Sequence, residues 1–329
     1  MRSTIPAIGK LADAYEDRES VRLRFGVRPS GTPHLGTMHV LYTAFIIGEE
    51  LARRGHNVGL TISTCDLQLP YSHWDFGVPL KYYRPDEAGQ SLGERGSSYV
   101  RELAEGAASF LEQSEGARVP FSIVPDSALQ SSGDFRRMLA GMIENEDAKL
   151  LLKPLAGSYP AEPLCPRCHR INRTSYRENG RLYSRCGRDR TEMDVDIRYD
   201  TDIELSLDYS LASAMRTAVL RPDVHVIGRD HVDILKGSLD RIKSLTKLAG
   251  ADMPSYFVTT LYMHGYKKLS KSARRGPDLE LLRKRYGGDY VRPAMGMVRH
   301  VLERGWREVQ SERALNIMDR LARGLYDSI

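Results

Sequence analysis

Three groups of residues in this 329-residue chain have types and spacings suited to chemistry. The first is Pro29-Ser30-Gly31-Thr32-Pro33-His34-Leu35-Gly36-Thr37. Gly31 and Gly36 let a backbone approach a nucleotide closely, and a helix starting here would turn free N–H groups and its positive dipole end toward phosphate. His34 would then donate to an oxygen of a reacting phosphate. The second is Gly265-Tyr266-Lys267-Lys268-Leu269-Ser270-Lys271-Ser272, which carries three lysines and two hydroxyls. Lysines on a closing loop stabilise the charge that gathers on a departing pyrophosphate. The third is Cys165-x2-Cys168, followed by Cys186 and, at the same spacing, Asp189. Two such knuckles facing each other make a tetrahedral Zn2+ site of three thiolates and a carboxylate, with His169 as the alternative fourth ligand. Four protein ligands leave no open position for water, so this zinc would be structural. The remaining cysteine, Cys65, reads as a small buried hydrophobe rather than a nucleophile.

The elements needed to position these groups follow from the apolar pattern. Residues 21–27 (VRLRFGV) read as a strand, the glycine-bearing turn follows, and 38–54 is an apolar run at helical spacing. Residues 58–64 read as a second buried strand, with Asp66 just past its end, where open parallel sheets place ligands. Helices are predicted over 96–114 and 132–146, with the strand FSIVP near 121 between them. Pro, Gly, Cys and Arg accumulate over 154–200, which reads as a small inserted module. Alternation resumes with a strand at 224–228, a helix at 231–249 and a strand at 255–261. From Asp278 onward the pattern is helical to the end, with Val291, Met295, Val298 and Leu302 on one stripe. The expected fold is therefore α/β, a doubly wound, mostly parallel, Rossmann-like sheet. Its first half spans 1–153, a zinc-ribbon-like insertion 154–200, its second half 201–277 and a short helical segment 278–329.

Composition narrows the function classes. Hydrophobic residues make up 41% and charged residues 28% of the chain, an ordinary globular balance. Apolar stretches fall far short of the roughly 20 residues that span a bilayer, and the N-terminus lacks an apolar signal core, so a cytoplasmic protein with no membrane partner is expected. Three of the four cysteines cluster, which favours a metal over a disulfide framework. The net charge of +5 is uneven: residues 264–329 hold 15 Lys or Arg against 8 Asp or Glu. A cationic end suits a polyanionic partner such as ATP or RNA, or is simply a solvated helical face.

In its first two groups the sequence resembles the class I aminoacyl-tRNA synthetases, whose signatures are His-Ile-Gly-His and Lys-Met-Ser-Lys-Ser. Here they read His34-Leu35-Gly36-Thr37 and Lys268-Leu269-Ser270-Lys271-Ser272. Within that class the chain is most similar to the class I lysyl-tRNA synthetases, which share the PSG-x-x-H-x-G form. They also carry a Gly-Lys-Asp-His element, here Gly228-Arg229-Asp230-His231. The likeness runs from about residue 21 to 276. It implies a HIGH-type nucleotide-binding sheet and an enzyme that activates an amino acid with ATP and Mg2+ as its adenylate. By the resemblance, Gly31, His34, Gly36 and Thr37 would meet the ATP phosphates, and Gly228, Asp230 and His231 would flank adenosine or ribose. Lys268, Ser270, Lys271 and Ser272 would hold the reacting phosphate and the departing pyrophosphate. The amino acid would meet Arg28, Ser30, Asp66 and Asp208, the last holding its α-amino group. The acceptor would be a tRNA 3′ end or a small-molecule or protein amine.

Two departures stand out. The family's acidic Asp-Asp-Tyr-Asp run is replaced by Cys65-Asp66-Leu67-Gln68, and Arg28 sets a cation beside the implied amino-acid pocket. Only about 50 residues follow the lysine-bearing segment, too few for the family's anticodon-reading domain. A nucleotidyltransferase or pantothenate-synthetase-like ligase shares the His-x-Gly signature, but the cysteine module and the Gly228 to His231 element argue against it. The intact Lys268 to Ser272 motif argues against a non-catalytic paralogue. The sequence does not fix the oligomeric state.

Overall fold

The computed structural model describes residues 5–69, 77–152, 160–172, 174–264, 267–268 and 276–325. Helix α1 (Pro6–Asp13) leads into strand β1 (Ser20–Val27), whose Val21, Leu23, Phe25 and Val27 are buried. After the turn, α2 (Leu35–Arg53) is buried along most of its length, including Leu41, Phe45, Ile47 and Leu51, which makes it a core helix. β2 (Asn57–Thr64) returns parallel to β1, with Val21 opposite Val58 and Val27 opposite Thr64. α3 (Leu92–Glu115) opens on a Ser91/Glu94 capping box and closes on Gly116 at φ +64, the left-handed cap that glycine adopts without strain. β3 (Phe121–Pro125) then pairs with β2.

Three short helices follow, α4 (Asp126–Gln130), α5 (Gly133–Glu144) and α6 (Glu146–Leu151). Next come five short strands, β4 (Ala161–Pro163), β5 (Thr174–Glu178), β6 (Arg181–Arg185), β7 (Glu192–Asp196) and β8 (Leu205–Leu207). β5, β6 and β7 form an antiparallel ribbon, and β4 pairs with β8. α7 (Tyr209–Leu220), β9 (Val224–Ile227), α8 (Val232–Leu248) and β10 (Ser255–Val258) complete the alternation.

The central sheet runs β10-β9-β1-β2-β3 with every pair parallel. The chain winds outward from β1 to β2 and β3, then returns to lay β9 and β10 on the other side. Strand order therefore reverses between β1 and β9, the place where open α/β sheets bind ligands at their carboxyl ends. The doubly wound α/β sheet expected from the sequence is the fold observed.

Two sequence readings are corrected. Residues 255–261 are not one strand: Thr259 N still donates to Ile227 O at 2.9 Å, but Leu261 N donates to Arg307 O at 2.9 Å. The chain thus leaves the central sheet across Thr259 and Thr260. It enters a separate sheet of β11 (Leu261–His264), β12 (Lys267–Lys268) and β13 (Glu308–Gln310). The C-terminal part is not helical throughout either. β13 interrupts the series α9 (Leu279–Tyr286), α10 (Val291–Glu303) and α11 (Ser311–Ala322), and pairs in parallel with β11.

The core has two parts. One joins the central sheet, α2, α3, α10 and α11, through Leu23, Phe45, Leu103, Met295 and Met318 among others. The other joins α5, α7 and the ribbon through Leu139, Leu182, Val195 and Met215.

Candidate active site

The turn between β1 and α2 is shaped by Gly31 at φ +108, a conformation side chains disfavour, and by Ser30 N donating to Arg28 O at 2.8 Å. His34 is the N-cap of α2, extended at φ −90 and ψ 168, and its Nδ1 accepts from Thr37 N at 3.3 Å. With Nδ1 accepting, a neutral ring carries its proton on Nε2, which makes Nε2 a donor. Gly36 makes room for that ring: a Cβ there would lie 2.9 Å from His34 Cε1 and 3.0 Å from Nδ1. The expectation of free N–H groups at this helix start is corrected in part. Leu35 N donates to Pro277 O at 3.1 Å and Thr37 N to the imidazole, so two of the first-turn donors are already used. The dipole remains.

The partner of that first bond comes from far along the chain. Leu279 N donates to Pro33 O at 2.9 Å, His34 and Asp278 form an antiparallel bridge, and Thr32 Oγ1 donates to Glu280 Oε1 at 3.3 Å. Residues 277–280 are thereby laced to the turn. On the other side of the lysine-bearing segment, Tyr262 of β11 shares a 2.9 Å hydrogen bond with His39 Nδ1 on α2. The same hydroxyl donates to Met297 Sδ at 3.1 Å. A Cβ at Gly36 would lie 4.0 Å from Tyr262 Cβ. Burial holds the His39 pKa down at about 3, so this imidazole is neutral and the link is a plain hydrogen bond. Both flanks of the lysine-bearing segment therefore abut the start of α2. Lys267 and Lys268 form β12, opposite His264 and Met263. Leu269, Ser270, Lys271 and Ser272 lie outside the described residues.

Gly228, Asp230 and His231 sit at the carboxyl end of β9, next to β1, hence on the other lip of the switch point. His231 N donates to Gly228 O at 3.0 Å, closing a tight turn. A Cβ at 228 would lie 2.5 Å from Asp230 Oδ1 and 3.4 Å from Val40 Cγ2 of α2, so a larger residue there would displace the Asp230 carboxylate. Asp230 Oδ2 and His231 Nε2 are 3.9 Å apart.

Beside the turn lies a cavity of about 310 Å3, lined by Arg28, Gln68, Asp126, Gln130, Tyr209 and Arg216 among others. Arg216 holds Asp126 through two bonds, Nε to Oδ1 at 2.7 Å and Nη2 to Oδ2 at 3.0 Å. Sequence reasoning missed this buried pair; its signal was an arginine inside the otherwise apolar LASAMRTAV of α7. Asp66 is bound by the start of α4: Ser127 N donates to Oδ1 at 3.1 Å and Ser127 Oγ to Oδ2 at 2.6 Å. Burial pushes its carboxyl up to about 6. Asp208 is the N-cap of α7: its Oδ1 accepts from Ser210 N at 2.9 Å and Leu211 N at 3.3 Å, and its Oδ2 lies 3.7 Å from Arg241 Nη2. Cys65 is buried at the end of β2, and burial pushes its thiol up to about 11, the state of an inert thiol.

The third group comes together at the base of the ribbon. The ligand atoms of Cys165, Cys168, Cys186 and Asp189 all lie within 4.8 Å of one another. Cys168 Sγ is 3.5 Å from Cys186 Sγ, and Cys165 Sγ donates to Asp189 Oδ2 at 3.1 Å. Tetrahedral bonds of about 2.3 Å put thiolates roughly 3.8 Å apart, so this donor set fits one ion. His169 is not part of it: its ring stacks on Tyr82, with centroids 3.8 Å apart and planes 7° from parallel.

Over 169 residues, 46% of this chain, the sequence is 27% identical to a lysine–tRNA ligase from Thermoplasma acidophilum. Over 173 residues, 47% of this chain, it is 27% identical to one from Natronomonas pharaonis. The likeness is to a class I aminoacyl-tRNA synthetase catalytic core. These stretches amount to 31% and 32% of the two relatives, so the chain spans about a third of the length of the curated relatives it matches. No family model matches the chain. Among solved structures it is similar to a tyrosyl-tRNA synthetase from Archaeoglobus fulgidus, crystallised with L-tyrosine, at 16% identity and TM-score 0.42. That likeness covers 98% of this chain and 86% of the other. Among the described residues no helix is long and apolar enough to cross a membrane.

Proposed function

We propose that this synthetase-like core activates an amino acid with ATP and passes the acyl group to a hydroxyl or amine acceptor. What carries the reading is the double attachment of the lysine-bearing segment, by Tyr262 to His39 of α2 on one flank and by Pro277 and Leu279 to the turn that holds His34 on the other. In the proposed step a carboxylate oxygen attacks the ATP α-phosphorus, the bond to the bridging oxygen breaks, and pyrophosphate leaves with that electron pair. His34 Nε2 and the dipole of α2 face the phosphates, with Gly31, Gly36 and Thr37 forming the close-fitting turn. Lys268, Ser270, Lys271 and Ser272 close over the pyrophosphate from the other side. Gly228, Asp230 and His231 border the nucleoside. Mg2+ on the triphosphate would neutralise charge during departure. Cys165, Cys168, Cys186 and Asp189 would hold a structural Zn2+ that pins the ribbon, with no position left for chemistry.

The test is amino-acid-dependent exchange of labelled pyrophosphate into ATP, run across all twenty amino acids. Exchange with one of them is expected; AMP transfer to a nucleotide without any amino-acid dependence would replace this reading with nucleotidyl transfer. Total tRNA added afterwards, with acid-precipitable label followed, decides whether the acceptor is a tRNA 3′ end.

A further inference from the structure

The geometry of the cavity draws the contact for a substrate α-amino group away from Asp208. Among the described residues Asp208 does not line the cavity, and its Oδ1 is spent capping α7, accepting from Ser210 N at 2.9 Å and Leu211 N at 3.3 Å. We propose that Asp126 binds the α-ammonium of the activated amino acid, an assignment that rests on the activation reading above. Asp126 is the one acidic residue among those that line the cavity. Its place follows from the sheet register: Val27 of β1 pairs with Thr64 of β2, and Thr64 with Pro125 of β3. Asp126 thus stands one residue past this row, as Arg28 does on β1 just before the turn. That edge is the carboxyl end of the parallel strands, where open α/β sheets take their ligands.

The chemistry of the lining leaves few other partners for an ammonium. Arg28 and Arg216 are donors only. Gln130 donates from Nε2 to Leu205 O at 2.8 Å and accepts from Leu205 N at 2.9 Å, which occupies both ends of its amide. Leu67, Leu129, Phe135 and Leu205 are apolar. An ammonium that gives up water needs a charged acceptor or pays a heavy desolvation cost. Asp126 is preset for this. Arg216 donates from Nε to Oδ1 at 2.7 Å and from Nη2 to Oδ2 at 3.0 Å, which fixes the plane of the carboxylate. A carboxylate has about four lone-pair sites, so each oxygen keeps one beyond its bond to Arg216. The two side chains are 10% and 6% exposed, a buried pair at the cavity wall. Charge stays balanced on binding, because an amino acid enters as a zwitterion and meets an ion pair that is itself neutral. Arg216 then acts through Asp126, as a positioning residue.

The experiment is pyrophosphate exchange on the full chain, first with each of the twenty L-amino acids. The amino acid that exchanges is then compared with its α-hydroxy acid, in which a neutral hydroxyl replaces the ammonium. Wild type should prefer the amino acid by at least about a hundredfold in kcat/KM. Asp126→Asn should cut that preference at least about tenfold, with the loss falling on the amino acid and little change for the α-hydroxy acid or in the KM for ATP. The single change strands Arg216, so Asp126→Asn combined with Arg216→Gln, a neutral pair that can still hydrogen-bond, is measured beside it and decides the matter if the single variant does not fold. It should lose the preference likewise. An intact preference in a folded variant overturns the assignment while activation stands. Equal losses for both substrates would show that Asp126 is structural and would also overturn it. A preference that collapses in Asp208→Asn and survives in the Asp126 variants would give the contact back to Asp208. No exchange by wild type with any of the twenty would remove the activation reading and this assignment with it.

Discussion

His34 and Gly36 stand at the start of a helix buried on nearly all sides, fixed by backbone bonds to residues 277–279 and by Tyr262. Cys165 and Cys168 lie between β4 and β5, and Cys186 and Asp189 between β6 and β7, at the base of an antiparallel ribbon of five-residue strands that shares a smaller core with α5 and α7. In the first region position is imposed by the packing of the whole sheet domain. In the second, four polar ligand atoms are gathered locally, and an ion is what would hold them against mutual repulsion. Such a difference separates a site that must stay precise when empty from one whose order depends on what it binds.

Lys271→Ala probes the first region at its chemical end and should have the largest effect. Exchange of pyrophosphate should fall by about 10^2 to 10^3, with ATP affinity by calorimetry largely kept. Unchanged turnover would detach the lysine-bearing segment from the reaction. Gly96→Ala probes its packing. A Cβ at 96 would sit 2.4 Å from Pro29 O and 2.6 Å from Pro29 C, both backbone atoms of the turn. A stability loss of about 3 kcal/mol in urea melts, with a higher KM for ATP, is expected. By contrast Gly141→Ala in α5, where the new Cβ meets nothing within 4 Å, should stabilise by about 0.5–1 kcal/mol. Equal effects at the two positions would erase the contrast.

Asp66 supplies a pH test. Its carboxyl is raised from 3.8 to about 6 by burial, so the folded state holds the proton more tightly than the unfolded chain. Stability from this group is therefore fully present below the unfolded value and is lost as pH rises through about 6, a change of up to about 3 kcal/mol. Urea melts of wild type and Asp66→Asn should diverge across that window, and parallel curves would show that Asp66 does not titrate in it. Cys186→Ser tests the ribbon. Bound zinc, measured by atomic emission, should fall from about one per chain to none. Stability should drop by about 2 kcal/mol, with the ATP KM of the distant turn little changed. A collapse of both would mean that the two regions are one cooperative unit.

The parts legible in sequence were those where one local rule decides. The glycine-bearing turn between an alternating strand and an apolar helix could be read as such, and so could the equal spacing of the two cysteine knuckles. What escaped depends on partners far away in the chain. Val309 is the one buried residue of the three in β13, a signal too short to separate from the helices around it. The run from Ser255 to Leu261 carries no turn residue to mark the change of sheet, because the switch is made by Thr259 and Thr260 bonding in different directions, Thr260 Oγ1 to Trp306 O at 2.8 Å. Arg136 is fully buried in α5, where its Nε donates to the carbonyl of Gln130 and its Nη2 to those of Thr201 and Ile203. Arg216 similarly finds Asp126 from 90 residues away. Charged residues like these read as surface until the fold supplies their partners.

The most direct measurement concerns the meeting of the two distant segments around one triphosphate. An adenosine polyphosphate ending in a pyridoxal aldehyde forms an imine with whichever lysine reaches the terminal phosphate position, and borohydride fixes it for peptide mass spectrometry. The adduct should fall on Lys268 or Lys271, be suppressed by ATP, and weaken when Gly36→Val crowds His34. An ATP-suppressed adduct on a lysine outside 267–271, or labelling that ATP does not compete, would contradict the account.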